Sequence, residues 1–350
     1  MRINFQMFST WDVYAVRQGL LAVGIGLLVT AGCADRRYEP FAEIRANIAV
    51  RQGDDHLAAD DIEAALAEFQ NAIELNPHLS EAHSGLGFAW ERKGDYEAAA
   101  RAFSDAVKLN PFDFGDSFAL GRVYQKLTRF ADAVRAYLHA CELEPGSFQA
   151  RFNLGVCYHQ AGELSEAIAT YEKAIDLDSD QPCVYTNLGA VHDARQQYYE
   201  AIHAYNESLE RDPNQPLVLV NLATTLMKQD RFPNARKALE RAVELDGQLA
   251  LAHERLGYCL FRERQYEEAM AHYQQAVELD EKMPDAYAGL GVVRMAMYLK
   301  DPGNGELRRQ AVEHWHRSLE LNPNQPKVRK LVDKYQLEVD NPVTVLLNTP

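Results

Sequence analysis

Leucine followed by a small residue recurs along this chain every 34 positions: Leu86-Gly87, Leu120-Gly121, Leu154-Gly155, Leu188-Gly189, Leu222-Ala223, Leu256-Gly257 and Leu290-Gly291. An alanine keeps the same step, as Ala65, Ala99, Ala133, Ala167, Ala201, Ala235 and Ala269, with Ala311 displaced by eight residues. Four residues later stands an aromatic in most units: Phe69, Phe103, Tyr137, Tyr171, Tyr205 and Tyr273, Leu239 being the exception. Pro77, Pro111 and Pro145 also keep the interval. A period of this length means a solenoid, because each unit is one supersecondary element that cannot bury its apolar face alone.

Within each unit, apolar residues recur at helical spacing on two segments joined by a polar turn such as Gln160-Ala161-Gly162-Glu163. The glycine of each Leu-Gly pair and the alanine twelve residues on let two helix axes approach. Tyr171 and its counterparts reach into that seam, and Ala174 leaves room for the next unit. Proline lacks an N–H and stops the second helix. This pattern resembles the tetratricopeptide-repeat (TPR) family over residues 46 to about 325. The resemblance implies an all-α fold: a right-handed superhelix, or α-solenoid, of about eight helix-turn-helix repeats with a concave inner face. ANIAVRQGDDHLA, the first helix of repeat one, reads as a polar cap meeting water. Repeat eight carries an insertion near 299–307, LKDPGNGEL, expected as a turn-rich loop. Residues 326–350 are expected to form a capping helix, with Lys327, Arg329, Lys330 and Lys334 on a basic face, and a tail whose apolar core is Val343 to Leu347.

The leader is a separate matter. Arg2 and Arg17 precede the apolar run GLLAVGIGLLVTAG, residues 19–32, which ends at Cys33. That run is short of the ~20 residues a membrane-spanning helix needs, but suits an export signal. Thr30-Ala31-Gly32-Cys33 resembles the lipobox of bacterial lipoproteins, which implies cleavage of residues 1–32 and acylation of Cys33. By the same resemblance, Ala34 after the cysteine points to the outer membrane, with the chain facing the periplasm. Residues 33–45 would then be the lipidated tether and the start of the first helix. The alternative is a buried first helix in a cytosolic adaptor, or in a regulatory subunit of a separate enzyme. Four glycines in the run (Gly19, Gly24, Gly26, Gly32) make it a poor packing helix.

Charge and motif content narrow the function. The formal net charge is −15, and nothing basic is concentrated enough to grip a nucleic-acid backbone. Five cysteines show no C-x-x-C and no zinc spacing. His253-Glu254 begins like a zinc-protease helix, but Gly257 stands where the second histidine must be. The chain is therefore expected to be non-catalytic, without cofactor, metal or small-molecule substrate, and to bind protein partners. Cys141 and Cys157, on neighbouring helices, are a possible disulfide; Trp90 and Trp315 read as core.

Asn153, Asn187 and Asn221 hold one place in three successive repeats, just before the Leu-Gly position. Each is expected to project from a first helix toward the concave side. An amide offers both donor and acceptor, so the three would grip the backbone of an extended peptide or helix. They resemble the asparagine ladder in the TPR superhelix of the O-linked N-acetylglucosamine transferase. A second reading stays open, in which these amides satisfy a helix surface or a neighbouring carbonyl. Phe118, Arg122, Phe152, Val220, Arg255, Tyr258 and Phe261 are expected around them, since aromatics and arginine favour interface centres. The clamp that other TPR proteins use for acidic chaperone tails needs a lysine just before the ladder position. Ser84, Phe118, Phe152, Thr186, Val220, Glu254 and Ala288 stand there instead.

Overall fold

Asp61, Asp95, Asp113 and Ser147 each begin a helix by accepting a hydrogen bond from the backbone N–H three residues on, at Ala64, Ala98, Asp116 and Ala150. Such caps contribute about 1 kcal/mol each. A computed structural model describes residues 41–336. Among them are eight helix pairs: α1 (Ala42–Ala58) with α2 (Ile62–Leu75), α3 (Ser80–Lys93) with α4 (Tyr96–Leu109), α5 (Phe114–Lys126) with α6 (Phe130–Leu143), α7 (Phe148–Ala161) with α8 (Leu164–Leu177), α9 (Pro182–Ala194) with α10 (Tyr198–Arg211), α11 (Pro216–Lys228) with α12 (Phe232–Leu245), α13 (Ala250–Arg262) with α14 (Tyr266–Leu279), and α15 (Pro284–Lys300) with α16 (Gly305–Leu321). A single helix, α17 (Pro326–Gln336), follows. No strand occurs among the described residues. Cys33, the leader and the Val343–Leu347 tail lie outside them.

The turn inside each of the first seven pairs uses one left-handed residue, again at steps of 34: Asp60, Gly94, Thr128, Gly162, Gln196, Asp230 and Arg264. Only two are glycine, the residue that takes this conformation without cost. The packed helices impose the turn on whatever residue stands there.

Small and aromatic residues meet in the seam as the repeat demands. Ala99, Ala133, Ala167, Ala201, Ala235 and Ala269 are fully buried, as are Phe69, Phe103, Tyr137, Tyr171 and Tyr205. A methyl group added at Gly155 would lie 2.6 Å from the Tyr171 ring, and one at Gly189 would lie 2.7 Å from Tyr205. The ring therefore rests directly on the glycine backbone. Cys157 and Cys259 are fully buried, and burial pushes both thiols up to about 12. Cys141, Cys157, Cys183 and Cys259 are free thiols, so Cys141 and Cys157 are not bridged.

First helices touch one another from repeat to repeat: α1 with α3, α5 with α7, α7 with α9, α9 with α11, α11 with α13, and α13 with α15. Second helices make no comparable contact with one another. Elements that crowd together lie on the inside of a curved stack, so the odd-numbered helices line the concave face.

Two expectations change. The insertion in repeat eight is not a long loop: α15 and α16 each run 17 residues, leaving a link of only Asp301 to Asn304. Helical growth satisfies the added backbone groups internally, which an extended loop would leave to water. The first helix is not a purely polar cap either, since Phe41 at its N-cap and Ile44 and Ile48 within it are exposed. At the other end α17 lays Val328 and Val332 on Trp315 and leaves Lys327, Arg329, Lys330 and Lys334 in solvent.

Candidate functional site

The ladder stands on three consecutive inner helices: Asn153 on α7, Asn187 on α9 and Asn221 on α11. All three side chains are half-buried, but they are not equivalent. The Asn153 Oδ1 accepts a hydrogen bond from Gln149 Nε2 at 3.2 Å, and the same amide approaches the Tyr137 hydroxyl as a partner. Neither Asn187 nor Asn221 uses its amide in a hydrogen bond with any described residue. One rung is tied into the scaffold and two are available.

A second regularity explains where the asparagines stand. The residue sixteen positions after each seam aromatic sits over that ring: a methyl group at Gly85 would lie 2.2 Å from Phe69, and one at Gly289 would lie 2.3 Å from Tyr273. Phe69 and Phe103 are followed there by Gly85 and Ala119, whereas Tyr137, Tyr171 and Tyr205 are followed by Asn153, Asn187 and Asn221. The phenylalanine rings thus stand opposite small apolar residues and three of the four seam tyrosines stand opposite amides, Tyr273 meeting Gly289 instead. Where Leu239 shortens the ring position, the long side chain of Arg255 stands opposite. This pairing was legible in the sequence, and reading the two positions separately misses it.

The phenols differ in the same way as the amides. Tyr137 donates to Gln125 Oε1 at 3.3 Å, but the Tyr171 and Tyr205 hydroxyls are buried with no hydrogen-bond partner. Burial holds both phenols well above their usual range. Tyr171→Phe is therefore expected to raise stability by about 1 kcal/mol, and Tyr137→Phe to lower it by a similar amount. Chemical denaturation of the two variants checks the contrast; equal shifts in one direction would refute it.

The residues expected around the ladder divide into occupied and open. Val220 is only 1% exposed, packed in the core, and presents nothing to a ligand. Phe118 stacks on Phe114 at 5.6 Å and meets Tyr137 edge-on at 5.5 Å. Phe152 stacks on Phe148 at 5.8 Å and lies 6.0 Å from Tyr171. Each is a half-buried ring with one side on the seam tyrosine. Arg122 donates from Nε and Nη2 to the two carboxylate oxygens of Glu91 at 2.9 and 2.6 Å. Its predicted place as a partner-facing cation is corrected: it is a strut between α5 and α3. Arg255 pairs with Glu254, Nε to Oε2 at 3.3 Å. Tyr258 packs 6.0 Å from Phe232 and accepts from Arg262 at 3.0 Å, and Phe261 lies 5.9 Å from Tyr266.

Paired charges recur along these helices. Arg92 meets Asp60 at 3.3 Å, Arg262 meets Asp230 at 3.3 Å, and Lys228 and the Thr225 hydroxyl both reach Asp193. These cations on the first helices thus serve repeat-to-repeat cohesion. His272 was not singled out from sequence; its Nδ1 lies 3.0 Å from that of His253, which also contacts the Gly247 carbonyl. Among the described residues no three His, Cys, Asp or Glu side chains converge as metal ligands.

A tetratricopeptide-repeat family model matches residues 50–114, and the model described as the C-terminal domain of cilia and flagella-associated protein 70 matches residues 117–289. The chain is a TPR protein. Solved structures agree in fold. The C-terminal part of a TPR repeat-containing protein from Cytophaga hutchinsonii is 19% identical with a TM-score of 0.59, covering 69% of this chain and 99% of that one. A tetratricopeptide repeat protein from Parabacteroides merdae is 15% identical with a TM-score of 0.56, covering 73% and 98%. The APC/C hetero-tetramer Cut9-Hcn1 is 17% identical with a TM-score of 0.54, covering 86% of this chain and 56% of that one. No curated protein sequence matches the chain. The TPR fold is that of protein-interaction scaffolds, whose curvature creates an extended concave binding surface.

Proposed function

We propose that this TPR protein is a non-catalytic scaffold, lipid-anchored through Cys33 on the periplasmic side of a bacterial outer membrane. Its inner face takes an extended segment or helix of a partner protein, in the service of envelope assembly. The observation that carries the binding reading is the pair of half-buried amides at Asn187 and Asn221, on adjacent inner helices, that have no hydrogen-bond partner among the described residues. An amide in that state gains a donor and an acceptor when a peptide backbone is laid along it. The flanking rings of Phe118 and Phe152 supply apolar contact, and the paired arginines leave recognition to neutral groups. Partners are therefore selected by backbone geometry and apolar side chains more than by charge.

Asn187→Ala with Asn221→Ala is expected to reduce capture of the partner from an envelope extract by at least about tenfold, the loss of two hydrogen bonds of about 1 kcal/mol each. The melting temperature should stay within a few degrees of wild type, because neither amide holds the scaffold. Undiminished capture would refute the site. The anchor has its own test: radiolabelled palmitate should enter the wild-type chain and not Cys33→Ser, and cell fractionation should place the protein with membranes.

A further inference from the structure

Ile48 holds a repeat position occupied, at steps of 34, by Ala82, Asp116, Ala150, Val184, Val218, Ala252 and Ala286. Each of those seven is at most 4% exposed, because the second helix of the preceding repeat packs on the first helix there. Ile48 is 48% exposed. Ile44 and Phe41 lie one and two turns back on the same side of α1 and are 56% and 61% exposed. Among the described residues the array is thus capped at one end by α17 and uncovered at the other, along a row of three large apolar side chains.

We propose that this open face of α1 lies on a lipid surface, an inference that rests on acylation of Cys33. Only seven residues, 34 to 40, separate Cys33 from Phe41, so an anchor there keeps α1 within ~25 Å of the bilayer. No other face of the solenoid is held so close. The row is narrow and bordered by exposed Glu43, Arg45, Asn47 and Arg51, the pattern of a helix lying in the plane of the interface. A second copy of the chain is the weaker occupant. Three half-exposed side chains offer far less than the roughly 800 Å² per partner that a stable interface buries. With a net charge of −15 the chain gains nothing from anionic headgroups, so apolar insertion, with no requirement for acidic lipid, sets the contact. The acyl group then fixes location, and α1 fixes orientation, standing the solenoid with α17 farthest from the membrane.

The test uses the processed, acylated protein, residues 33–350, carrying Phe41→Trp, reconstituted into phosphatidylcholine vesicles with brominated acyl chains. The introduced indole should emit at shorter wavelength than in detergent-free buffer and be quenched about twofold by the bromolipid, as for an interfacial side chain. The wild-type protein processed in the same way, which has lost Trp11 with the leader and keeps Trp90 and Trp315 in the repeats, should show neither change. Adding Ile44→Glu and Ile48→Glu should abolish the quenching and leave the melting temperature unchanged, since both side chains are exposed. Palmitate incorporation without quenching overturns the lipid contact and leaves the anchor standing; a dimer seen by sedimentation in that case assigns the face to a second copy. Absence of palmitate overturns both.

Discussion

Trp315→Ala is expected to destabilise the C-terminal end of the array by about 3–5 kcal/mol, the range for truncating a fully buried aromatic. Trp315 is the largest fully buried side chain among the described residues. It stands where other repeats carry tyrosine, and a methyl group at Gly291 would lie 2.4 Å from its indole nitrogen. That nitrogen donates to the Ala288 carbonyl at 3.2 Å, and the ring lies 6.0 Å from Tyr335 on α17. Val328 and Val332 pack on the same surface. Removing the indole therefore removes the floor on which α17 rests. Because stability in a solenoid is passed between nearest neighbours, the loss should stay local. Hydrogen exchange should accelerate in α15 to α17 and remain slow in α5 to α12, and thermal unfolding should acquire an early phase. Leu299→Ala, at an exposed position of the same repeat, is the control and should change little. A single transition at the wild-type temperature would show that Trp315 does not hold the cap.

Glu254→Gln is expected to make the protein more stable at pH 8, by about 2–3 kcal/mol. Glu254 on α13 is 4% exposed. Burial raises its carboxyl from 4.5 to about 7, against the opposing pull of Arg255 and with a further push from Asp285. A carboxyl whose folded value exceeds its unfolded value binds more protons in the native state between those two values. Stability therefore falls as pH rises from about 4.5 to about 7 and stays lower above that. Glutamine removes the penalty, so the gain over wild type should be full near pH 8 and vanish near pH 4.5. Denaturation midpoints across that range decide the matter, and a gain independent of pH would mean that packing alone is responsible. His253, the residue before Glu254, should be left intact in this experiment, since it contacts His272 and the Gly247 carbonyl.

Much of the architecture was written in the letters at fixed intervals. The recurrence of Gly155, Ala167 and Tyr171 one repeat after another specifies a close helix pair, because a ring can rest on backbone only where no side chain intervenes. Eight pairs and a terminal helix with a basic outer face were predictable for that reason, and they are found. The extra eight residues of repeat eight were misplaced because DPGNG reads locally as a turn, whereas packing of α15 on α16 draws its flanks into helix. Phe41, Ile44 and Ile48 were not foreseen as exposed, since a first helix looks like any other until the missing neighbour is known. The site was half legible. Three asparagines in register are visible in the sequence, but whether an amide is spent on a neighbour is not: Asn153 bonds Gln149 while Asn187 and Asn221 do not.

The sequence by itself determined the period, the helix pairing and the small-against-large fit of the seam, because these depend on residue size at intervals a one-dimensional pattern can carry. Tertiary structure alone decided which side chains are still available. Arg122 was withdrawn by Glu91 and Val220 by the core, while Asn187 and Asn221 were left open. Availability depends on what a neighbouring repeat places within about 3 Å of a polar atom, a distance that exists only once the helices have stacked.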